Sequence, residues 1–403
     1  MKDINEMLEK ILDAKDGLKE LIRVQIENTI NELLKTELTA FLGYEKYSVE
    51  GIGTGDSRNG YYDRKLDCEY GSLNLKIPRD RLGEFKPRTV SPYGRMTDGL
   101  EAAVIHMYRK GITTREIADL IEKMYGSHYS PATVSNITAQ VQDMVEKFHA
   151  RPLEEKYAVL FMDSTFLNMR RDTVASEALH VILGITPDGH KEILDFALYP
   201  TEAASNYSEM LSKIKERGVK EVLLAVSDGL SGMEGALHEQ FPLAEHQQCW
   251  VHLARTVERK VRPLDRAEVL SDLKVIYNQG CEDDAQKELG GFLSRHSKKY
   301  PSLKKVFEGK RLFSFYKYPE SIRRSIYTSN LIENNNKQLK HAEKKKEQFP
   351  NEDSLERFVC CFYSGCNKNW ALKSHKGFKE AESELLEIFE KRYGEFRNLN
   401  KVA

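Results

Sequence analysis

Two aspartates, Asp163 and Asp228, follow strongly apolar runs of the kind that form buried strands. Open α/β sheets place their ligands at strand ends, so we expect both carboxylates to face one crevice. Two carboxylates at short range repel each other, and one would bind a proton unless a cation lies between them. Oxygen ligands favour Mg²⁺ or Mn²⁺. The pattern therefore predicts a metal pair, and the simpler alternative is that each aspartate caps the helix that follows it.

A third carboxylate, Glu333, lies in a strongly basic stretch of the chain. Residues 301–350 carry twelve Lys or Arg against five Glu and no Asp. A catalytic carboxylate among cations that hold phosphates would have this composition. The ordinary alternatives are an acidic residue in the first turn of a helix and a solvated basic helix face. The residues of this stretch that could contact DNA are Arg323, Arg324, Asn330, Lys337 and Lys340.

A short cluster of His246, Cys249 and His252 lies between Asp228 and the basic stretch. Cysteine and histidine at this spacing suggest zinc, but a structural zinc site usually has a second pair of ligands, and none stands at a convincing distance. A packed junction between a strand and a helix is the more ordinary interpretation.

The composition is that of an ordinary soluble protein of 403 residues, with 31% charged and 40% hydrophobic side chains. Its length predicts about two to four domains. No apolar run reaches the ~20 residues of a membrane helix, and the N-terminus lacks the layout of a signal peptide. Six scattered cysteines favour a reducing cytoplasm. The net charge of −1 excludes a uniformly basic coat but allows a basic groove, because residues 1–40 are acidic while residues 301–350 are basic.

The N-terminal segment predicts helix and protein contact. Residues 4–40 place leucine and isoleucine at mostly three- and four-residue spacing, which is typical of an amphipathic helix or helix pair. We expect this segment to pack on a partner or a second subunit, and Gly43 to end it in a left-handed conformation.

The next segment predicts a hairpin. Residues 51–64 are rich in glycine and polar side chains and are expected to form a loop. Residues 66–77 alternate apolar and polar side chains around Gly71-Ser72, which predicts a β-hairpin that Pro78 ends. The basic segment 79–88 is either a DNA-contacting arm or an exposed linker.

Residues 97–150 favour three helices. The first ends at Gly111, Thr113 or Thr114 caps the second, and Ser130-Pro131 opens the third. This is the layout of a helix-turn-helix DNA reader, although any three-helix bundle gives the same pattern. The DNA-contacting residues expected here are Arg115, Thr133 and Ser135.

From residue 157 the pattern changes to strands. Three apolar runs predict a strand meander, and a helix and a parallel strand follow it, which is an α/β layout. Residues 230–345 are expected to be mostly helical, and residues 352–394 form a final amphipathic helical block. The predicted strands and connecting helix are 157–162, 178–183, 192–198, 203–217 and 222–226.

Taken together, these motifs resemble the Mutator family of bacterial insertion-sequence transposases, which have a DDE site. They occur in the family's order over nearly the whole chain. The matching motifs are Ser57-Arg-Asn-Gly-Tyr61, Leu75-Lys-Ile-Pro-Arg-Asp-Arg81, Gly111-Ile-Thr-Thr-Arg-Glu-Ile117, Ser130-Pro-Ala-Thr-Val134, Asp163-Ser-Thr-Phe-Leu167, Asp188-Gly-His-Lys-Glu192, Ser227-Asp-Gly-Leu-Ser-Gly232, Gln248-Cys-Trp-Val-His252, Ile326-Tyr-Thr-Ser-Asn-Leu-Ile-Glu333 and Lys376-Gly-Phe378.

The resemblance implies that Asp163, Asp228 and Glu333 are the catalytic, metal-binding triad of an RNase H-like domain, and that Cys249 and His252 form the family's Cys-x-x-His signature. A helical insertion is expected between Asp228 and Glu333. Three positions depart from the family pattern without removing a carboxylate, namely Asn168, Tyr207 and Thr256.

The fold class expected from the resemblance is α/β and multidomain. An N-terminal helical and helix-turn-helix region precedes an RNase H-like catalytic domain with a helical insertion and C-terminal helices. The expected domains are a helical oligomerisation segment (1–45), a β-hairpin and basic arm (46–95), a helix-turn-helix-like DNA-binding domain (96–152), the first part of the catalytic core (153–262), a helical insertion (263–325) and the last part of the core with the C-terminal helices (326–403).

The resemblance implies DNA transposition by two-metal phosphoryl transfer with Mg²⁺, and Mn²⁺ as a substitute. The expected partners are double-stranded DNA, namely the terminal inverted repeats of the element and the target, and further copies of the chain in a dimer or higher oligomer. A membrane partner is not expected. Two alternatives are an inactive transposase that acts only as a DNA-binding regulator, and a metal-dependent nuclease or resolvase that never joins strands.

Overall fold

The computed structural model describes residues 17–48, 55–68, 70–90, 98–125, 142–170, 174–344, 346, 349 and 351–400. The chain divides into two compact units, Met1–Gln140 and Val141–Ala403. Among the described residues, no helix is long and apolar enough to cross a membrane. The six predicted domains divide the chain more finely than these two units, and their boundaries remain predictions.

The core of the first unit lies between a helix and a hairpin. Helix α1 (Gly17–Leu42) packs on two antiparallel strands, β1 (Arg58–Cys68) and β2 (Gly71–Asp80). Ile30 and Leu34 of α1 contact the apolar side chains of the hairpin. Because the described part of α1 buries its apolar face within the same chain, that burial does not require a second subunit. The prediction that Gly43 ends the helix is confirmed, since its φ is +77°.

Two expectations about the hairpin were wrong. The predicted loop 51–64 contains the first half of β1, which begins at Arg58. Most of β1 is exposed on both faces, so it lacks the apolar alternation that reveals a strand. Pro78 does not end β2, which continues to Asp80. Proline has no N–H to give to the ladder, and it pairs with Tyr61 at a register shift where the ladder is already irregular.

Two of the three predicted N-terminal helices are described, α2 (Asp98–Arg109) and α3 (Thr114–Tyr125). Thr113 caps α3 as expected, because its hydroxyl accepts the N–H of Glu116 at 3.2 Å while the Glu116 carboxylate accepts the N–H of Thr113 at 2.9 Å. Arg115 is exposed on α3. The start of the third helix, with Thr133 and Ser135, lies outside the described residues, so the helix-turn-helix remains a prediction.

The second unit is built on a five-stranded sheet. Its order is β5-β4-β3-β6-β7, with β4 antiparallel to both of its neighbours, β3 and β5, and with β6 and β7 added in parallel to β3. The predicted meander and parallel strand are therefore confirmed. The strands are β3 (Lys156–Arg170), β4 (Val174–Ile185), β5 (Lys191–Tyr199), β6 (Glu221–Ser227) and β7 (Glu245–Gln248).

Helices cover both faces of this sheet. Helix α5 lies on one face, where Leu160 and Met162 of β3 join its apolar side chains in a buried core. On the other face, the ring of Phe196 of β5 packs against the ring of Tyr363 from α13, with 5.6 Å between the ring centroids. The helices are α4 (Gln142–Ala150), α5 (Ala204–Glu216), α6 (Met233–Gln240), α7 (Trp250–Lys260), α8 (Arg266–Tyr277), α9 (Glu282–His296), α10 (Ser302–Phe307), α11 (Glu320–Ile326), α12 (Asn330–Lys344), α13 (Glu352–Trp370) and α14 (Phe378–Asn400).

Candidate catalytic site

The register of two parallel strands brings Asp163 and Asp228 together. Met162 of β3 pairs with Ser227 of β6, so the next residue on each strand is an aspartate. One expectation was wrong: Asp163 does not end its strand, because β3 continues to Arg170 through antiparallel pairing with β4. Only Asp228 follows the end of a strand, and the two carboxylates still meet because β3 runs past the point where β6 stops.

The turn after β6 fixes the direction of Asp228. Its carboxylate accepts the N–H of Leu230 at 3.1 Å. Gly229 has a φ of +88°, and a Cβ there would lie 2.1 Å from Nε2 of Gln248. The backbone conformation therefore favours glycine at this position, and a Cβ would also force the Gln248 side chain to move.

Helix α12 brings the third carboxylate and an amide to the same place. Glu333 lies in its first turn, as the helix dipole favours, and accepts the hydroxyl of Ser329 at 3.0 Å. One turn later, the Asn336 side chain donates to Oδ2 of Asp163 at 2.9 Å. Buried Tyr363 donates in turn to Oδ1 of Asn336 at 3.3 Å, which fixes the amide orientation. One helix thus carries Glu333 and also orients Asp163.

Asp163 lies in an environment that opposes its ionisation. Burial raises the pKa of Asp163 to about 7; the negative charges of Glu333 and Asp228 add to this, while His252 and the Asn336 hydrogen bond oppose it. A divalent cation would relieve this repulsion. The all-oxygen donor set of the three carboxylates suits Mg²⁺ or Mn²⁺.

Two basic side chains on α7 face Glu333. Arg255 Nη2 lies 2.6 Å from one carboxylate oxygen, and His252 Nδ1 lies 3.6 Å from the other. Burial lowers the pKa of His252, but Cys249, Glu333 and Asp163 outweigh it and raise that pKa to about 9. Glu333 therefore has a guanidinium at hydrogen-bond distance, whereas Asp163 has no basic side chain that close among the described residues.

The Cys-x-x-His signature lies at a packed strand-to-helix junction, as expected. Buried Cys249 precedes α7, and its Sγ accepts the N–H of Ser329 at 3.1 Å and lies 3.1 Å from the Ser329 Oγ. Burial raises the pKa of the Cys249 thiol, but hydrogen bonds from His252 and Ser329 outweigh it and lower that pKa. His246 is separate from this group, since its Nε2 lies 2.8 Å from the Ser227 hydroxyl. The ligand atoms of Cys249, His252 and Glu333 lie within 4.8 Å of one another.

A cavity of about 570 Å³ opens over Asp163 and Glu333. Arg324 is exposed but does not line it, and the Arg323 guanidinium donates to the carbonyls of Tyr316, Tyr318 and Gly280, so its donors are used within the fold. Of the predicted DNA-contacting residues, three line the cavity. The lining residues are Asp163, Ser164, Thr165, His252, Arg255, Asn330, Glu333, Asn334, Asn336, Lys337 and Lys340.

The family model described as "Transposase, Mutator family" matches residues 2–373. The chain belongs to the Mutator family of transposases. It is 42% identical over 391 residues, 97% of this chain and 100% of the relative, to the transposase for insertion sequence element IS905 of Lactococcus lactis subsp. lactis (strain IL1403). It is also 42% identical over 363 residues, 89% of this chain and 98% of the relative, to the transposase for insertion sequence element IS1201 of Lactobacillus helveticus.

A solved structure is also similar, at a low level. The "Drosophila P element transposase strand transfer complex" shares 11% identity at a TM-score of 0.30, covering 72% of this chain and 85% of that chain. A TM-score this low carries no argument about the fold. The resemblance of the sequence to the Mutator family is confirmed by the family match and the insertion-sequence relatives.

Four residues of this Mutator-family site were missed by the sequence reasoning: Arg255, Ser329, Asn336 and Tyr363. Asn336 had a signal, because it follows Glu333 by three residues and so lies on the same helix face. Arg255 had a similar signal, three residues after His252. Ser329 and Tyr363 had none, since a serine before a helix and an aromatic in an apolar helix have ordinary explanations.

Proposed function

We propose that this protein is the transposase of an insertion sequence, and that it cuts and joins DNA strands at Asp163, Asp228 and Glu333. The observation that supports this most is the convergence of the three side chains. They come from a strand, a post-strand turn and a distant helix, and β-strand register together with one side-chain amide brings them to one edge of the sheet. An acid cluster with no catalytic use would oppose folding, as the raised pKa of Asp163 indicates.

Within this proposal, the three carboxylates hold Mg²⁺, or Mn²⁺ in its place. The ions would activate the attacking oxygen and stabilise the leaving oxygen of an in-line phosphoryl transfer. Asn336 would hold Oδ2 of Asp163 toward the cavity, and Ser329 would hold Oε1 of Glu333 toward it. No side chain needs to form a covalent bond with DNA in this proposal.

Binding of DNA rests on charge in this proposal. Lys337 and Lys340 lie one and two turns beyond Glu333 on α12, where they line the cavity beside the carboxylates. They would hold backbone phosphates, and Asn330 would add a hydrogen-bond donor. The predicted helix-turn-helix would read the terminal inverted repeats, and the catalytic sheet would belong to the RNase H-like class. Two element ends have to be brought together, so the active form would be a dimer or a higher oligomer.

The test is a strand-transfer assay with a DNA end that is already cut at its 3′ strand. Wild-type protein in Mg²⁺ should join this end to a target plasmid, and it should also cut an uncut end. Asp163→Asn, Asp228→Asn and Glu333→Gln should lose both reactions and still bind end DNA. Asp283→Asn, which changes an exposed carboxylate in the first turn of α9, should retain both.

The same assay separates the alternatives. A DNA-binding regulator would bind the ends without cutting or joining them. A nuclease or resolvase that never joins strands would cut without producing joined molecules. Full cutting and joining by Asp163→Asn in Mg²⁺ would refute the assignment of the site.

A further inference from the structure

Cys249 and His252 are not needed as ligands in the proposed metal site, yet both contact the residue that begins the helix of Glu333. We propose that Cys249 and His252 are positioning residues, which hold Glu333 in place by fixing Ser329. This inference rests on the proposed function, because it gives the Cys-x-x-His signature a role at the same site.

The first support is the backbone of Cys249. Its N–H donates to the carbonyl of Ser227 at 2.8 Å, and Ser227 directly precedes Asp228. Its Sγ accepts the N–H of Ser329 at 3.1 Å and lies 3.1 Å from the Ser329 Oγ. One residue therefore joins the end of β6 to the start of α12, and it sets the separation between the carriers of Asp228 and Glu333.

The second support is the hydroxyl of Ser329. Its Oγ lies 3.0 Å from Oε1 of Glu333, 3.1 Å from Sγ of Cys249 and 3.3 Å from Nδ1 of His252. A serine hydroxyl has one proton to donate and two lone pairs to accept with. When that proton goes to the carboxylate, which is the strongest acceptor of the three, the thiol and the imidazole N–H can serve as donors to Oγ. The arrangement fixes the rotamer of Ser329 and directs its proton to Glu333.

The third support is the spacing of the signature. Cys249 immediately precedes α7, and His252 lies in the first turn of that helix, so both side chains are close enough to contact Ser329. This turn meets the start of α12, where Ser329 is fully buried. A buried serine N–H and hydroxyl need partners, and a pair at this spacing supplies both. The three-residue spacing therefore allows both side chains to contact the same serine.

A thiophilic cation is the competing interpretation, because Cys249, His252 and Glu333 have ligand atoms close together. The contacts of Cys249 favour positioning, because its Sγ already has two neighbours on Ser329. The two interpretations differ in whether the protein should show a cobalt–thiolate absorption band, and in the expected effect of Cys249→Ser.

The test uses the full-length protein with Mn²⁺ as the probe, and measures both Mn²⁺ binding and the Mg²⁺ dependence of strand transfer. Cys249→Ala should weaken Mn²⁺ binding and raise the half-maximal Mg²⁺ concentration by about tenfold, with end-DNA binding unchanged. Cys249→Ser should restore part of this loss, because a hydroxyl can still accept the N–H of Ser329. The matched control is Cys360→Ala, since Cys360 is equally buried but lies in α13 beside Ser364. It should alter thermal stability and leave both metal measurements unchanged.

Two outcomes would overturn the proposal. Wild-type Mn²⁺ binding and Mg²⁺ dependence in folded Cys249→Ala would show that the thiol does not position Glu333. A cobalt–thiolate absorption band in wild-type protein that disappears in Cys249→Ser would make Cys249 a metal ligand instead. Because His252 is proposed to act through Ser329, the effects of His252→Ala and Ser329→Ala on Mn²⁺ binding should be non-additive. Additive effects would show that His252 does not act through Ser329.

Failure of the proposed function would look different. If wild-type protein joined no strands while Glu333→Gln still weakened Mn²⁺ binding, the reaction assignment would be wrong. The Mn²⁺ measurements on the Cys249 and Cys360 variants would then decide the positioning role by themselves.

Discussion

The pKa of Asp163 makes the stability of the metal-free protein depend on pH in a predictable direction. Burial, reinforced by the charges of Glu333 and Asp228, raises this pKa from 3.8 to about 7. The folded protein therefore keeps a proton that the unfolded chain releases, so the stabilisation by the protonated carboxyl is complete below about pH 4 and is lost as the pH rises to about 7. At ~1.4 kcal/mol for each pKa unit, the loss between pH 5 and pH 8 is about 3 kcal/mol.

Asp163→Asn removes the charge and keeps the shape of the side chain. The amide oxygen of the variant can still accept the hydrogen bond from Asn336. The variant should therefore become more stable relative to wild type as the pH rises. The difference between their free energies of unfolding should grow by about 3 kcal/mol from pH 5 to pH 8. Activity should be lost in the same variant, so the same carboxylate would oppose folding and support catalysis.

The assay is urea unfolding in EDTA at several pH values, followed by tryptophan fluorescence. Both tryptophans, Trp250 and Trp370, lie in the second unit, so the signal reports on the unit that contains the site. Asp283→Asn serves as the control and should show no growing difference. Mg²⁺ should stabilise wild type at pH 8 and have little effect on Asp163→Asn. A difference between Asp163→Asn and wild type that stays constant from pH 5 to pH 8 would refute the claim of charge repulsion at this site.

Two further predictions concern DNA binding and the turn after β6. Lys337→Gln should weaken binding to all DNA sequences alike and reduce the slope of log K against log salt by about 1, whereas the exposed Lys304→Gln should change neither in fluorescence titrations. Gly229→Ala should abolish strand cleavage, because φ is +88° and the new Cβ would lie 2.1 Å from Nε2 of Gln248. Gly235→Ala in helix α6, where a Cβ meets nothing within 4 Å, should keep activity and raise stability by about 0.5–1 kcal/mol. Equal activity of the two glycine variants in a cleavage assay would contradict the role of the turn.

The sequence predicted the strands of the second unit well where they consist of apolar residues alone. The runs 157–162 and 222–226 are fully apolar, and both are buried central strands. It failed at β7, whose residues Glu245–Gln248 are polar although three of the four are buried. Their polar groups are satisfied locally, as Gln247 shows by donating to the carbonyl of Leu312 at 2.8 Å. Such hydrogen bonds depend on residues far along the chain, so the local sequence pattern does not reveal them.

The same distinction applies to the site. The carboxylates could be found in the sequence because each has a local context, an apolar run before Asp163 and Asp228 or a basic helix around Glu333. Asn336 could not be assigned a partner, because the residue it contacts lies 173 positions earlier. Periodicity indicates which face of a helix a side chain occupies, but not which strand that face meets.

Apolar burial along β3 outweighs the free-energy cost of ionising Asp163. Ionising Asp163 in its place costs about 4 kcal/mol, from a pKa raised from 3.8 to about 7. The six apolar residues before it on β3 are at most 1% exposed, and burial of each large one contributes about 1.5–3 kcal/mol. Burial along β3 therefore exceeds the electrostatic cost, and the strand stays in register through Asp163. The hydrogen bonds among Ser227, Cys249 and Ser329 hold the turn at Asp228 and the start of α12 against the same repulsion.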